Sequence, residues 1–145
     1  MQILKVNTEK RRLGDFGESE AARLLKKKGY RILERNYAPE DGEIDIIASK
    51  DGITAFVEVK TRHVADTRVA RIEPRPASAV TPIKQQSIIN TAKIFLATHR
   101  DTRVRFDIIE VYVTGEDKKW QVQEIKHLEG AFDRDSARPK SYFRH

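Results

Sequence analysis

The chain has 145 residues, carries 28 Lys and Arg against 22 Asp and Glu for a net charge of +6, and contains no cysteine. That length suits one domain around a single core, the basic excess favours polyanionic partners through counterion release, and the lack of cysteine excludes disulfides, thiolate metal sites and cysteine nucleophiles. No apolar run is long enough to cross a membrane and MQILKVNTEKRR lacks the apolar stretch of a signal peptide, so a cytoplasmic protein with no membrane partner is expected.

No internal repeat or low-complexity linker divides the chain. From about Glu9 to Lys28 the pattern is helical: Leu13, Phe16, Gly17, Ala21, Leu24 and Leu25 recur at helical spacing and Gly29 is a natural C-cap. Tyr30 to Tyr37 reads as a strand and Pro39-Glu40-Asp41-Gly42 as a turn. Glu43 to Ala48 and Ile53 to Arg62 are strands flanking Ser49-Lys50-Asp51-Gly52, and Asp-Gly is a strong hairpin signal. From His63 to Val80 the periodicity gives way to a basic segment with two prolines, read as a mobile loop. Thr81-Pro82 has the form of an N-cap followed by proline at the first helical position, and Ile88, Ile89, Ala92, Phe95 and Leu96 supply the apolar face of that helix. Val104 to Val113 and Trp120 to Leu128 are the last two strands, with a turn at 115–119 between them. The domain is therefore expected to span residues 1–129, followed by a flexible basic tail at 130–145. Helix, three strands, helix, two strands imply an α/β sandwich with a mixed five-stranded sheet.

The hairpin brings chemistry together. With Asp51-Gly52 as a two-residue turn, Lys50 faces Ile53, and counting outward puts Asp45 opposite Glu58 and Glu43 opposite Lys60. Directly paired residues share a sheet face, and Glu58 and Lys60, two apart on one strand, share it too. Facing carboxylates repel, and a divalent cation is the simplest compensation. Hard oxygen donors without a cysteine or histidine cluster suit Mg²⁺ or Mn²⁺ better than zinc. A lysine beside such a site can orient or deprotonate a water, or stabilise charge on a phosphoryl group, so phosphodiester hydrolysis is the reaction these parts fit. Glu18, in Gly14-Asp15-Phe16-Gly17-Glu18, falls at the edge of the helix's apolar stripe, either reaching toward the sheet edge as a third carboxylate or lying on the surface beside Arg23 or another cation. Glu43 reads as a partner of Lys60 rather than a ligand.

Gly42-Glu43-Ile44-Asp45 followed by Phe56-Val57-Glu58-Val59-Lys60 resembles the PD-(D/E)xK nuclease superfamily, the fold of many restriction endonucleases. With Gly14-x-x-Gly17-Glu18 and Arg105-Phe106-Asp107, the chain resembles the YraN-like family of small bacterial proteins, itself similar to archaeal Holliday-junction resolvases. The resemblance covers roughly residues 14–114, with Ile44 in place of the proline of the superfamily's name. It implies a restriction-endonuclease-like α/β/α core, Asp45 and Glu58 as metal ligands, Glu18 as an additional ligand and Lys60 as the catalytic lysine. It also implies a supporting polar role for Lys84, Gln85 or Gln86 on the second helix.

Arg62, Arg68, Arg71 and Arg75 lie on or after the strand bearing Glu58 and either hold phosphates or keep a loop soluble; the first is favoured by their place beside the acidic patch. Arg105 and Asp107 share a face and are expected to pair with each other. Lys26-Lys27-Lys28 reads as a solvated helix end, the four histidines show no ligand spacing, and Trp120 is expected in the core while Tyr142 and Phe143 either stack on bases or pack between molecules. The leading expectation is a Mg²⁺- or Mn²⁺-dependent DNA endonuclease, structure-selective and homodimeric if it resolves symmetric junctions. The competing readings are a catalytically silent nucleic-acid-binding module and an interaction protein with a basic docking tail.

Overall fold

A computed structural model describes residues 2–64 and 80–134, with side chains from Thr8 onward. Among these residues, two helices and five strands follow in the order α1 (Gln2–Lys27), β1 (Arg31–Tyr37), β2 (Ile44–Lys50), β3 (Ile53–His63), α2 (Pro82–Leu96), β4 (Arg103–Thr114) and β5 (Gln121–Phe132). The strands form one sheet in chain order, antiparallel except for the parallel β3–β4 pair. A parallel neighbour requires a crossover, and α2 is the helix on that crossover.

Alternation along the central strands gives each face its own core. Phe56, Ile47, Phe106 and Ile108 pack against Ile88, Ile89, Ala92 and Phe95 of α2. Ala55, Val57, Ile46, Ile109 and Val111 pack against Ala21, Ala22 and Leu25 of α1. The result is the expected α/β/α arrangement with a mixed five-stranded sheet. Two glycines let the helices approach closely. A Cβ on Gly17 would stand 1.8 Å from Thr61 Oγ1, and one on Gly42 2.2 Å from Thr91 Oγ1.

The β2–β3 hairpin has the expected register, with Lys50 facing Ile53 and Ile46 facing Val57. Asp51 and Gly52 both have positive φ (52° and 79°), as a type I′ turn requires. The Thr81 N-cap also holds, its hydroxyl accepting from Lys84 N at 3.2 Å, with Pro82 opening α2.

Most strand ends differ from expectation by a residue or so, and three boundaries differ with consequence. Helix α1 starts at Gln2 rather than Glu9, since no glycine or proline before Gly14 stops it. Strand β2 starts at Ile44, leaving Glu43 outside it. Strand β5 runs past Leu128 to Phe132, a buried core residue facing Phe106, after a register shift between the Ile108–Leu128 and Phe106–Phe132 pairs takes up Glu129-Gly130-Ala131. Of the expected basic loop at 63–80, residues 65–79 lie outside the described residues, as does the tail from 135 on.

Candidate metal and catalytic site

The site lies where β2 parts from β3. The regular ladder ends at Ile46–Val57, so the next facing pair, Asp45 and Glu58, is not joined by main-chain bonds. Instead Asp45 Oδ2 accepts a hydrogen bond from Val59 N at 2.8 Å, its carboxylate taking the donor that a continuing strand would have used. The splay opens a cleft of about 340 Å³ whose walls include Glu18, Glu43, Asp45, Val59 and Lys60. A larger cleft, about 550 Å³, lies between α1 and the β4–β5 turn, but its Asp117 is already tied to Arg12, Nε to Oδ1 at 3.1 Å.

Glu58 shares the α2 face of β3 with Phe56, and is 6 % exposed. Burial first, then the charge of Asp45, pushes its carboxyl group up to about 7, against the opposing pull of Lys84 and Lys60. When neutral, Glu58 can donate a hydrogen bond to Asp45, which favours the same protonated form. Lys60 Nζ stands 3.5 Å from Glu58 Oε2, close enough for an ion pair but beyond a normal hydrogen bond. Asp45, Glu58 and Lys60 therefore do converge, as the hairpin count requires.

Glu18 reaches the same cleft from α1. Burial and then the charge of Asp45 raise its carboxyl group above the ordinary range, so it feels the acidic pair. Its direct partner is Arg35, Nη2 to Oε1 at 3.3 Å, whereas Arg23 pairs with Glu20. Among the described residues, no three His, Asp or Glu side chains form a closed ligand shell as they stand. The donor set is nonetheless one that a hard cation fits: two carboxylates held together at a strand splay, one of them pushed up to about 7 by burial and by the other's charge, which Lys84 and Lys60 offset only in part.

The supporting residues divide. Lys84 is half-buried at the start of α2 and acts on Glu58 through its charge. Gln85 is buried and donates from Nε2 to Val80 O at 2.8 Å, fixing the entry of the chain into α2. Gln86 bonds Asn90 along the helix and takes no part. Glu43 is exposed and lines the cleft, but the Lys60 ion pair goes to Glu58; the expected Glu43–Lys60 pair does not form because the strand begins one residue later. Arg62 lies against Glu110, while Arg68, Arg71 and Arg75 fall outside the described residues, as do Tyr142 and Phe143.

Arg105 and Asp107 pair as expected, and the pair is part of a larger buried group. Asp107, fully buried, accepts from Arg105 Nε and Nη2 (both 2.8 Å), His127 Nε2 (2.8 Å) and Gly130 N (3.0 Å). Burial pushes its carboxyl group up, but these bonds outweigh that and hold it below the ordinary value. Arg105 also donates to the Tyr30 hydroxyl, and Lys28 Nζ lies 2.8 Å from His127 Nδ1. This group locks the end of α1 to β4 and β5. Trp120 is half-buried, packed on Phe16 with centroids 5.7 Å apart.

Sequence reasoning passed over His127 and Glu110. The first lies twenty residues from its partner and no local spacing marks it. The second did carry a signal, since an acid inside the apolar run Ile108-Ile109-Glu110-Val111-Tyr112-Val113 of a central strand is buried by construction.

The class of protein that this fold and site define is a mixed-sheet α/β domain with an acid–x–lysine strand facing an aspartate at a strand splay. Within that class, the chain belongs to the family described as "Uncharacterised protein family UPF0102", whose model matches residues 17–111 and so takes in Glu18, Asp45, Glu58 and Lys60. It is 42 % identical over 123 residues to a UPF0102 protein of Prosthecochloris aestuarii, covering 83 % of this chain and 92 % of that one. A UPF0102 protein of Caldanaerobacter subterraneus subsp. tengcongensis is 41 % identical over 130 residues, covering 88 % and 98 % of the two chains. One from Chlorobaculum parvum is 45 % identical over 123 residues, covering 83 % and 91 %.

Proposed function

We propose that this protein is a divalent-metal-dependent endonuclease of the PD-(D/E)xK superfamily that hydrolyses phosphodiester bonds in DNA in the cytoplasm. The observation that carries the reading is the Asp45–Glu58 pair at the strand splay, Glu58 buried and Asp45 half-buried on the wall of the cleft, with Lys60 beside them. Asp45 and Glu58 would hold Mg²⁺ or Mn²⁺, with Glu18 as an additional donor once Arg35 yields it. The cation supplies Lewis-acid activation and neutralises charge on the phosphate.

The chain's own groups have distinct parts. The bond from Val59 N fixes Asp45 so that one carboxylate oxygen is spent on the fold and the other stays available. Loss of the Glu58 proton converts a neutral acid into an anionic donor, a change that Lys60 and Lys84 favour. The Lys60 ammonium, anchored by Glu58, positions the attacking water or stabilises the charge that grows on the phosphate oxygens. Among the described residues no helix is long and apolar enough to cross a membrane.

The competing reading, a nucleic-acid-binding module without turnover, draws on the Arg35–Glu18 ion pair, which engages the third carboxylate. A panel of duplex, single-stranded, flap and four-way-junction DNAs incubated with Mg²⁺ or Mn²⁺ separates the two. Metal-dependent cleavage that disappears in Asp45→Asn and Lys60→Ala supports the enzyme. Cleavage that persists unchanged in both variants is contamination and removes it, while salt-sensitive binding without cleavage supports the module.

A further inference from the structure

We propose that Glu110 is a positioning residue that presents Arg62 to a second phosphate, next to the one at Asp45, Glu58 and Lys60; the inference rests on the nucleic-acid reading above. Arg62 follows Lys60 by two residues on β3, so the two share a face and stand about 6.6 Å apart along the strand. Glu110 lies beside Lys60 in the parallel β3–β4 register and opposite Lys126 across β4–β5. Lys60 and Lys126 thus flank Glu110 in register, pairing with Glu58 and Glu124, and Arg62 is the cation whose ion pair goes to Glu110 itself.

The contacts of that carboxylate are unusual. Glu110 is 0 % exposed, and its Oε1 accepts from the Tyr112 hydroxyl at 3.1 Å. Its Oε2 lies 3.6 Å from Arg62 Nη2, an ion-pair distance longer than a hydrogen bond. Among the described residues, neither Glu110 Oε2 nor Arg62 Nε, both buried, has a hydrogen-bond partner. An aliphatic side chain would suit this apolar strand better, because a buried carboxylate left short of donors opposes folding. The compensating gain is visible at Arg62. Its side chain, 30 % exposed, is drawn onto the sheet by charge through Nη2, while among the described residues its guanidinium makes no hydrogen bond. Without an anchor, a long arginine on this strand would sample many rotamers and lose that freedom on meeting a phosphate. Glu110 removes much of that loss in advance and keeps the guanidinium in line with Lys60 along β3.

A purely neutralising role for Glu110 has the opposite consequence. Removing its negative charge would then leave DNA binding unchanged or make it tighter. The test is fluorescence anisotropy of labelled duplex and four-way-junction DNA in EDTA, over a salt series, with wild type, Arg62→Gln, Glu110→Gln and the double variant. Arg62→Gln is expected to weaken binding and reduce the salt slope by one phosphate contact, about 0.9. Glu110→Gln is expected to weaken binding several-fold although it makes the protein more positive, and to add nothing in the Arg62→Gln background. Glu110→Leu, apolar and similar in shape, is a second variant expected to show the same loss should Gln disturb folding; thermal melts verify that the variants tested are folded. Binding by Glu110→Gln and Glu110→Leu as tight as wild type or tighter, or an equal loss with and without Arg62, overturns the proposal. If wild type binds no DNA, the nucleic-acid reading falls and this one with it; if wild type binds without the Glu110–Arg62 coupling, this one falls alone.

Discussion

Replacing Glu58 by Gln tests the electrostatics of the site through stability rather than activity. In the folded protein the Glu58 carboxyl group is moved from an ordinary value of 4.5 to about 7. With each pH unit worth about 1.4 kcal/mol, holding that group ionised at pH 8 opposes folding by roughly 3 kcal/mol. Its side chain is only 7 % exposed, so water screens little of this. The direction follows from proton binding: the folded state holds the Glu58 proton more tightly than the unfolded chain. Its contribution is therefore fully present below about pH 4.5, declines as pH rises, and is lost once pH passes about 7. Gln keeps the shape and a donor for Asp45 but does not titrate. Glu58→Gln should match wild type near pH 4 and exceed it at pH 8 by roughly 3 kcal/mol, or about 10 °C in Tm. Urea or thermal unfolding at a series of pH values measures this. Saturating Mn²⁺ at pH 8 should raise the wild-type Tm and narrow the gap, because the cation stabilises the ionised pair that the variant lacks. A gap independent of pH, or a variant less stable at pH 8, would refute the reasoning.

Asp107→Asn removes the charge that organises Arg105, His127 and Gly130 N, and should cost about 3–5 kcal/mol at neutral pH by urea unfolding. Because the Asp107 carboxyl group is held below its ordinary 3.8, the wild-type advantage is present above that value and shrinks as pH falls through the folded value. Gly17→Ala drives a methyl group into Thr61 and should destabilise by about 1–3 kcal/mol, with Thr61→Ala in the same chain recovering part of the loss, both read as Tm.

The features legible in the sequence were those written locally. Asp51-Gly52 sets the hairpin type, the hairpin sets the register, and the register brings Asp45, Glu58 and Lys60 together from residues thirteen and two positions apart. Thr81-Pro82 announces α2 by the same local logic. Less legible was anything decided by where a strand stops pairing. The splay at Asp45 leaves Glu43 outside β2, so extending the ladder count two residues further gave a Glu43–Lys60 pair that the structure lacks. Partners from distant elements were also hidden: Arg35 for Glu18, His127 for Asp107 and Glu110 for Arg62 each come from a different strand or helix.

Single-turnover cleavage of a labelled DNA substrate as a function of Mn²⁺, comparing wild type with Lys60→Ala, bears most directly on the central claim. The lysine variant should keep DNA binding and Mn²⁺ saturation while cleaving about 100-fold more slowly or worse. Equal rates in the two proteins, or no cleavage by wild type at any Mn²⁺ concentration on any substrate of the panel, would contradict it.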